Sequence, residues 1–115
     1  MDFQEFELQK EKDLAVIDAF KVNSADMAIS HKIEHHFITY SKESGLELLT
    51  WAAANDLETS ELAESIWRGE RYYYFDLIIP TVPTIDNIFP DTRYMLYLAE
   101  EYNYQYDGWG RIIIK

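Results

Sequence analysis

One run of bulky side chains, YYYFDLII at positions 72–79, most constrains the fold because aromatic and β-branched residues favour extended backbone. Gly69 lies just before this run, at the centre of a short turn. A glycine turn in front of such a strand favours a hairpin, so we predict an irregular strand over residues 57–67. Pro80 and Pro83 are predicted to end the long strand, because proline cannot donate a hydrogen bond to a neighbouring strand.

Apolar residues at helical spacing predict three helices, the first of them N-terminal and covering about residues 2–21. Its apolar stripe consists of Phe3, Phe6, Leu14, Ile17 and Phe20. A second helix follows Gly45. One of its faces is supplied by Leu46, Leu49 and Ala53, and the apolar surface is widened by Leu48, Trp51 and Ala52. Pro90 is predicted in the first turn of the third helix, where proline is tolerated, and Asp91 beside it favours the positive end of the helix dipole. That helix is predicted to end at about Tyr102.

Residues 31–40 and 104–114 show the features of strands rather than helical spacing. In the first strand, one side is formed by Ile33, His35 and Phe37. The other side is formed by Glu34, His36 and Ile38. The second strand is interrupted at Asp107 and Gly108, which predicts a bulge because glycine adopts backbone angles that other residues resist.

The predicted order is a helix followed by β-α-β-β-α-β, which indicates an α+β fold of the ferredoxin-like class. In that fold a four-stranded antiparallel sheet carries both crossover helices on one face. The N-terminal helix is additional, and it could lie along an edge of the sheet or over its open face. We predict a single domain, residues 1–115, with the extra helix at about 2–21 and the ferredoxin-like core at about 28–115.

Acidic residues dominate the charge, with 21 Asp and Glu against 10 Lys and Arg and a net charge of −11. That field repels phosphate backbones and anionic lipids, so we expect neither direct nucleic-acid binding nor membrane binding. The acidic surface is either a coat that keeps the protein in solution or a surface that meets a basic protein partner. The sequence has no cysteine, no apolar run of bilayer length and no secretory signal after Met1, so a cytoplasmic location is expected.

The residue patterns predict no catalytic residue, no enzyme activity and no cofactor. His35 and His36 are neighbours on a predicted strand and point to opposite faces, so they cannot bind one metal ion together. Zinc needs three or four converging donors, and without cysteine we predict no metal site. We interpret His35 as a hydrogen-bonded core histidine. The four glycines form no phosphate-binding loop, and no serine lies in a Gly-x-Ser-x-Gly elbow.

Several residues are candidates for contact with another macromolecule. Glu34 and His36 share a strand side that a ferredoxin-like sheet would leave uncovered by helices. Trp109 stands between two glycines, so it either packs in the core or projects as an interface anchor. The tyrosines at positions 72–74 could form a stacking platform for RNA, but their neighbours are mostly Glu, Asp and more Tyr rather than the Lys and Arg needed to hold phosphates.

Two tracts resemble the regulator of ribonuclease activity B family. The first is Ile-Glu-His-His-Phe at positions 33–37, in the first predicted strand. The second is Tyr-Asp-Gly-Trp-Gly at positions 106–110, preceded by Ala99 and Glu100, where the last helix leads into the last strand. The order of the predicted elements also matches, so the similarity extends over about residues 13–115.

This resemblance implies a ferredoxin-like sandwich that does no chemistry itself but binds ribonuclease E and lowers its activity. The implied mechanism is occupancy of a partner surface, such as a basic RNA-binding segment for which the acidic face competes. The residues expected to contact the partner are Glu34, His36, Tyr106, Asp107 and Trp109. The alternative is a small acidic antagonist, of the toxin-immunity type, that binds a different basic protein.

Overall fold

The computed structural model describes residues 3–22 and 28–111 as three helices and five strands. The helices are α1 (Phe3–Val22), α2 (Lys42–Ala54) and α3 (Ile85–Glu101). The strands are β1 (His31–Thr39), β2 (Glu58–Thr59), β3 (Ala63–Trp67), β4 (Glu70–Thr81) and β5 (Gln105–Arg111). Residues 2 and 112–114, which were predicted to belong to the first helix and the last strand, lie outside the described residues.

The strands form one antiparallel sheet in which β4 pairs with β1, and β1 pairs with β5. The other edge of β4 pairs with the two short strands β2 and β3. This is the strand order of a ferredoxin-like sandwich, with the second strand split in two, so the predicted α+β class is confirmed. The irregular strand predicted over residues 57–67 corresponds to β2 and β3.

All three helices cover the same face of the sheet. Leu48 of α2 and Met95 of α3 pack in one buried cluster with Phe37 and Phe75 of the central strands. Helix α1 packs beside them through Phe20 and its neighbours, against β1, α3 and β5. Of the two positions predicted for the N-terminal helix, the open face is not the one observed: α1 packs on the helix-bearing side, against the edge strand β5. The face opposite the helices, called the open face below, stays uncovered by the described elements.

The buried faces of α1 and α2 differ from the predicted ones. In α1 the buried residues are Gln9, Asp13, Ile17 and Phe20, whereas Leu14 is 43% exposed. Gln9 and Asp13 are tolerated inside because they hydrogen-bond to each other and to buried partners, as described below. In α2 the buried residues are Gly45, Leu48 and Ala52, and Leu46 is exposed. Gly45 faces inward in a tight space, since a Cβ there would lie 3.1 Å from the Leu62 side chain and 3.2 Å from the Tyr104 hydroxyl.

The predicted roles of two prolines were wrong. Helix α3 begins at Ile85, after Thr84, so Pro90 lies inside the helix and Asp91 is not at its positive end. The Thr84 carbonyl accepts hydrogen bonds from two backbone N–H groups of the first turn, which starts the helix ahead of the proline. Pro80 does not end β4, which continues to Thr81. Because the pairing with β2 ends at Ile78, no strand on that side of Pro80 requires a hydrogen bond from its backbone nitrogen.

The predicted bulge in the last strand is confirmed. His35 pairs with Trp109 and Phe37 pairs with Tyr106, so β5 uses three steps where β1 uses two. Gly108 has a φ of +88°, in the region that favours glycine. The extra residue turns the Asp107 side chain out of the regular ladder and leaves it exposed.

Candidate functional site

The five predicted contact residues lie at three different places. Glu34 and His36 lie on the open face, as the alternation of β1 requires, and each is half-buried. Asp107 is exposed at the bulge of β5. Tyr106 and Trp109 pair across the sheet with Phe37 and His35, so their side chains lie on the helix-bearing face.

On the open face, Glu34 and His36 form a cluster with Asp76 of β4, which sequence reasoning missed. His36 and Asp76 are cross-strand partners, and His36 Nδ1 lies 2.6 Å from Asp76 Oδ1. Burial, a hydrogen bond with Asp76 and the charge of Asp76 together raise the pKa of Glu34, and His36 opposes them. The sequence does contain a signal for Asp76: it is the one acidic residue in the run at positions 72–79, and alternation places positions 74, 76 and 78 on the open face.

The backbone around this cluster holds its side chains in place. The Asp76 N–H donates to Ser60 Oγ at 2.8 Å, which ties the centre of β4 to the segment after β2. Gly110 of β5 lies beside His36, and a Cβ there would be 3.9 Å from His36 Nε2. The cluster thus presents two carboxyl groups and one imidazole on a supported surface, a set of groups that suits a cationic side chain.

Trp109 is a core residue, with only 6% of its surface exposed. Its ring packs edge-to-face on Phe20 of α1 with the ring centroids 5.5 Å apart. The indole Nε1 donates to Asp13 Oδ1 at 2.9 Å. This geometry favours the core alternative for Trp109 over the projecting anchor.

Asp13 is fully buried and joins the elements of the helix layer to the sheet. Oδ1 accepts from Gln9 Nε2 at 2.8 Å as well as from Trp109, and Oδ2 accepts from Thr92 Oγ1 at 2.6 Å. These four residues are called the Asp13 network below. Its sequence signal was the spacing of Gln9, Asp13, Ile17 and Phe20, which is that of one helix face despite two polar members.

His35 is a hydrogen-bonded core histidine, as predicted. It is fully buried, and its Nδ1 lies 2.8 Å from the Tyr106 hydroxyl. Burial and, to a smaller extent, the charge of His36 lower the pKa of His35 to about 4 against the opposing charge of Asp76. Among the described residues, Nε2 has no hydrogen-bonding partner, so a proton added there would be buried without an acceptor.

We expect the stability of the protein to fall as the pH is lowered from about 6.5 to about 4. The folded state holds His35 neutral over this range while the unfolded chain binds the proton, so protonation favours unfolding. The difference between a pKa of 6.5 and one of about 4 corresponds to about 3 kcal/mol. Urea unfolding at several pH values measures it. His35→Gln should reduce the dependence of the unfolding free energy on pH, whereas His31→Gln, at the half-exposed start of β1, should leave it unchanged. The same pH dependence in all three proteins would contradict the assignment of this effect to His35.

One shallow concavity on the open face has a volume of about 210 Å³ and is lined by Ile38, Tyr40, Trp67, Tyr72 and Gln105. A larger groove of about 700 Å³ lies on the helix layer, with Phe6, Tyr94 and Tyr97 among its lining residues, and contains none of the predicted contact residues. Over residues 3–22 and 28–111, no three His, Asp or Glu side chains are placed to hold a metal ion.

In the described part of the chain, none of the helices combines the length and the apolar character needed to span a bilayer.

Comparison with known proteins matches this sequence to one family. The sequence profile described as "Regulator of ribonuclease activity B" matches residues 10–110. Curated proteins with that name are similar over most of their length. The one from Aeromonas hydrophila is 28% identical, covering 96% of this chain and 94% of its own. The one from Colwellia psychrerythraea is 32% identical, covering 71% and 72%. The one from Pseudoalteromonas translucida is 26% identical, covering 83% and 86%. The chain belongs to the regulator of ribonuclease activity B family.

Proposed function

We propose that this protein is a non-catalytic regulator that binds a ribonuclease of the ribonuclease E type and lowers its activity by occupying part of its surface. The single observation that carries the proposal is the match of the family profile over residues 10–110. The proposal places the protein in the cytoplasm, as expected from the cysteine-free sequence.

The open face is the proposed contact surface. The helices cover the other face, whereas Glu34, His36 and Asp76 lie together on this one, with Asp107 exposed at the nearby bulge. Carboxyl groups on a protein with a net charge of −11 favour a basic partner segment. A segment that also binds RNA would then be withheld from RNA while this protein occupies it.

In this proposal Tyr106 and Trp109 support the contact surface from the helix-bearing side of the sheet. Tyr106 lies against His35, and Trp109 pairs with His35 across the strands. His35 is followed directly by His36, whose side chain emerges on the open face. In this proposal the two aromatic residues fix the position of β1 and β5, and the exposed residues of those strands make the contact.

Reversing charge on the open face should weaken partner binding without unfolding the protein. The double variant Glu34→Lys/Asp107→Lys is expected to weaken binding to a ribonuclease E-type enzyme by at least about tenfold, because rim charges of the wrong sign repel a basic segment. The matched control is Glu11→Lys/Asp18→Lys on the exposed side of α1, which changes the net charge equally. Binding is measured with purified proteins by calorimetry, and thermal melting checks the fold.

Equal loss of binding in both double variants would mean that only net charge matters and would contradict the open-face assignment. Capture experiments with the unmodified chain test the partner itself. Failure to bind any ribonuclease, together with recovery of a different basic protein, would favour the antagonist of the toxin-immunity type.

A further inference from the structure

We propose that the open face selects arginine rather than lysine in its partner, through an aromatic patch beside the acidic cluster. The aromatic patch consists of Ile38, Tyr40, Trp67, Tyr72 and Tyr74. The inference rests on the proposed function, because it names the chemistry of the partner segment at the same face.

The strand register brings the patch together. Ile38 pairs with Tyr74 across β1 and β4, so the two share the open face with His36 and Asp76. Tyr72 follows two residues from Tyr74 on the same side, and their ring centroids are 5.8 Å apart. Trp67 of β3 pairs with Glu70, two residues from Tyr72, and lines one shallow concavity with Tyr40 and Tyr72.

Three aromatic side chains of the patch are exposed. Tyr40 is 53% exposed, Trp67 is 58% exposed and Tyr74 is 42% exposed. Contiguous apolar surface of this kind, next to polar groups, is typical of a binding site for another macromolecule. Trp and Tyr are also the residue types that contribute most to protein interfaces.

The acidic cluster continues the patch along the same strands. Asp76 is two residues from Tyr74 on β4, and His36 is two residues from Ile38 on β1. Two residues of strand span about 6.5–7 Å, a distance that one long side chain or two neighbouring ones can bridge. A cationic group can therefore contact the carboxyl groups of Glu34 and Asp76 while its neighbour lies on the tyrosine rings.

Charge selects the occupant of this face. A second copy of the chain would bring two net charges of −11 together, and RNA would bring phosphates to the same field. A basic protein segment is the occupant that this field attracts. The observations thus favour a protein partner over both nucleic acid and self-association.

The rings distinguish arginine from lysine. A guanidinium group is planar and weakly hydrated, so it stacks on aromatic rings and binds carboxylates with two parallel hydrogen bonds, whereas an ammonium group is a hydrated point charge. One face of Trp67 is covered by a guanidinium of this chain, since Arg68 Cζ lies 4.4 Å from the ring centroid. The Trp67 ring thus stacks with a guanidinium in this environment, and the neighbouring Tyr72 and Tyr74 rings offer further surface for one from a partner.

Two peptides test the inference directly. Labelled (Arg-Ala)₆ and (Lys-Ala)₆ carry equal charge, and their binding to the full chain is measured by fluorescence anisotropy at an ionic strength of about 0.15 M. We expect the arginine peptide to bind at least about fivefold more tightly, because only it gains the stacking contacts. In Tyr40→Ala/Trp67→Ala that preference should fall to about twofold or less.

The control is Tyr94→Ala/Tyr97→Ala, which removes two exposed and stacked tyrosines from α3 on the helix layer. This variant should keep the arginine preference, and circular dichroism of both variants confirms that they fold. Equal affinity of the unmodified chain for the two peptides would overturn the inference, as would an equal loss of preference in both variants. Tighter binding of a ten-residue oligouridine than of the arginine peptide would also overturn it, in favour of an RNA platform.

The peptide experiment and the ribonuclease-binding experiment can fail independently. If the ribonuclease binds through Glu34 and Asp107 but the two peptides bind equally, the regulator proposal stands and arginine selection fails. If the arginine preference depends on Tyr40 and Trp67 but no ribonuclease binds, the surface is correctly assigned and its partner is another arginine-bearing protein.

Discussion

Replacing Trp109 by alanine is expected to lower the free energy of unfolding by about 3–5 kcal/mol, the usual range for truncating a large buried aromatic residue. The change would remove the edge-to-face contact with Phe20 and open a cavity between α1 and β5. It would also leave Asp13 Oδ1 with one hydrogen-bond donor instead of two. For a domain of this size the melting temperature should fall by more than about 10 °C.

Trp109→Phe is the informative companion to this variant. Phenylalanine keeps a ring against Phe20 but has no donor for Asp13, so its loss of stability should be clearly smaller than that of Trp109→Ala. Thermal and urea unfolding of the three proteins measure both effects. A Trp109→Ala protein that melts like the unmodified one but no longer binds its partner would reverse the assignment and make Trp109 an interface anchor.

Replacing Asp13 by alanine should also cost about 3–5 kcal/mol, because it removes the acceptor shared by three buried donors and leaves a cavity. The Trp109 indole N–H and the Gln9 amide would lose their partner inside the protein. Thr92 would suffer less, since its hydroxyl lies 3.1 Å from the Phe89 carbonyl and can donate there instead. Urea unfolding at neutral pH gives the difference in free energy directly.

Asp13→Asn should be far milder, within about 1 kcal/mol of the unmodified protein. The amide oxygen can still accept from Trp109 and Gln9, and the amide N–H₂ can donate to Thr92 Oγ1 while that hydroxyl donates to Phe89. A loss as large as that of Asp13→Ala would show that the network depends on the carboxyl group itself rather than on its hydrogen-bonding pattern.

The two faces of the sheet carry different kinds of residue. Helices cover one side of the sheet, and there the Asp13 network and the His35–Tyr106 pair place buried polar groups among apolar side chains. The open face carries the acidic cluster and the aromatic patch, which no described element covers. Variants on the first side are therefore expected to change stability, and variants on the second to change binding.

The strand faces followed from the sequence because a strand alternates every two residues. Once residues 31–40 are read as extended, Glu34 and His36 must lie opposite His35, and the structure has them so. The bulge followed in the same way from Gly108, whose φ of +88° suits glycine. Asp76 was overlooked, because it belongs to the cluster only through its pairing with His36, 40 residues away.

The buried faces of the helices and the positions of the prolines were harder to predict from the sequence. Leu14 fits an apolar stripe but is exposed, whereas Asp13 beside it is buried. Burial of Asp13 is acceptable only because donors arrive from Thr92 and Trp109, 79 and 96 residues along the chain. Likewise, α3 begins at Ile85, ahead of Pro90, and Pro80 stays in β4, where Lys32 of β1 is its partner on one side and β2 has already ended on the other.

By itself, the sequence determined the element order, the strand faces, the acidic charge and the family resemblance, because each is local or additive along the chain. Only the tertiary structure decided that Trp109 lies inside, that Asp13 joins the helix layer to the sheet and that Glu34, His36 and Asp76 meet on one surface. These features depend on hydrogen bonds and packing between distant segments, and such contacts stabilise the protein only when folding brings the segments together.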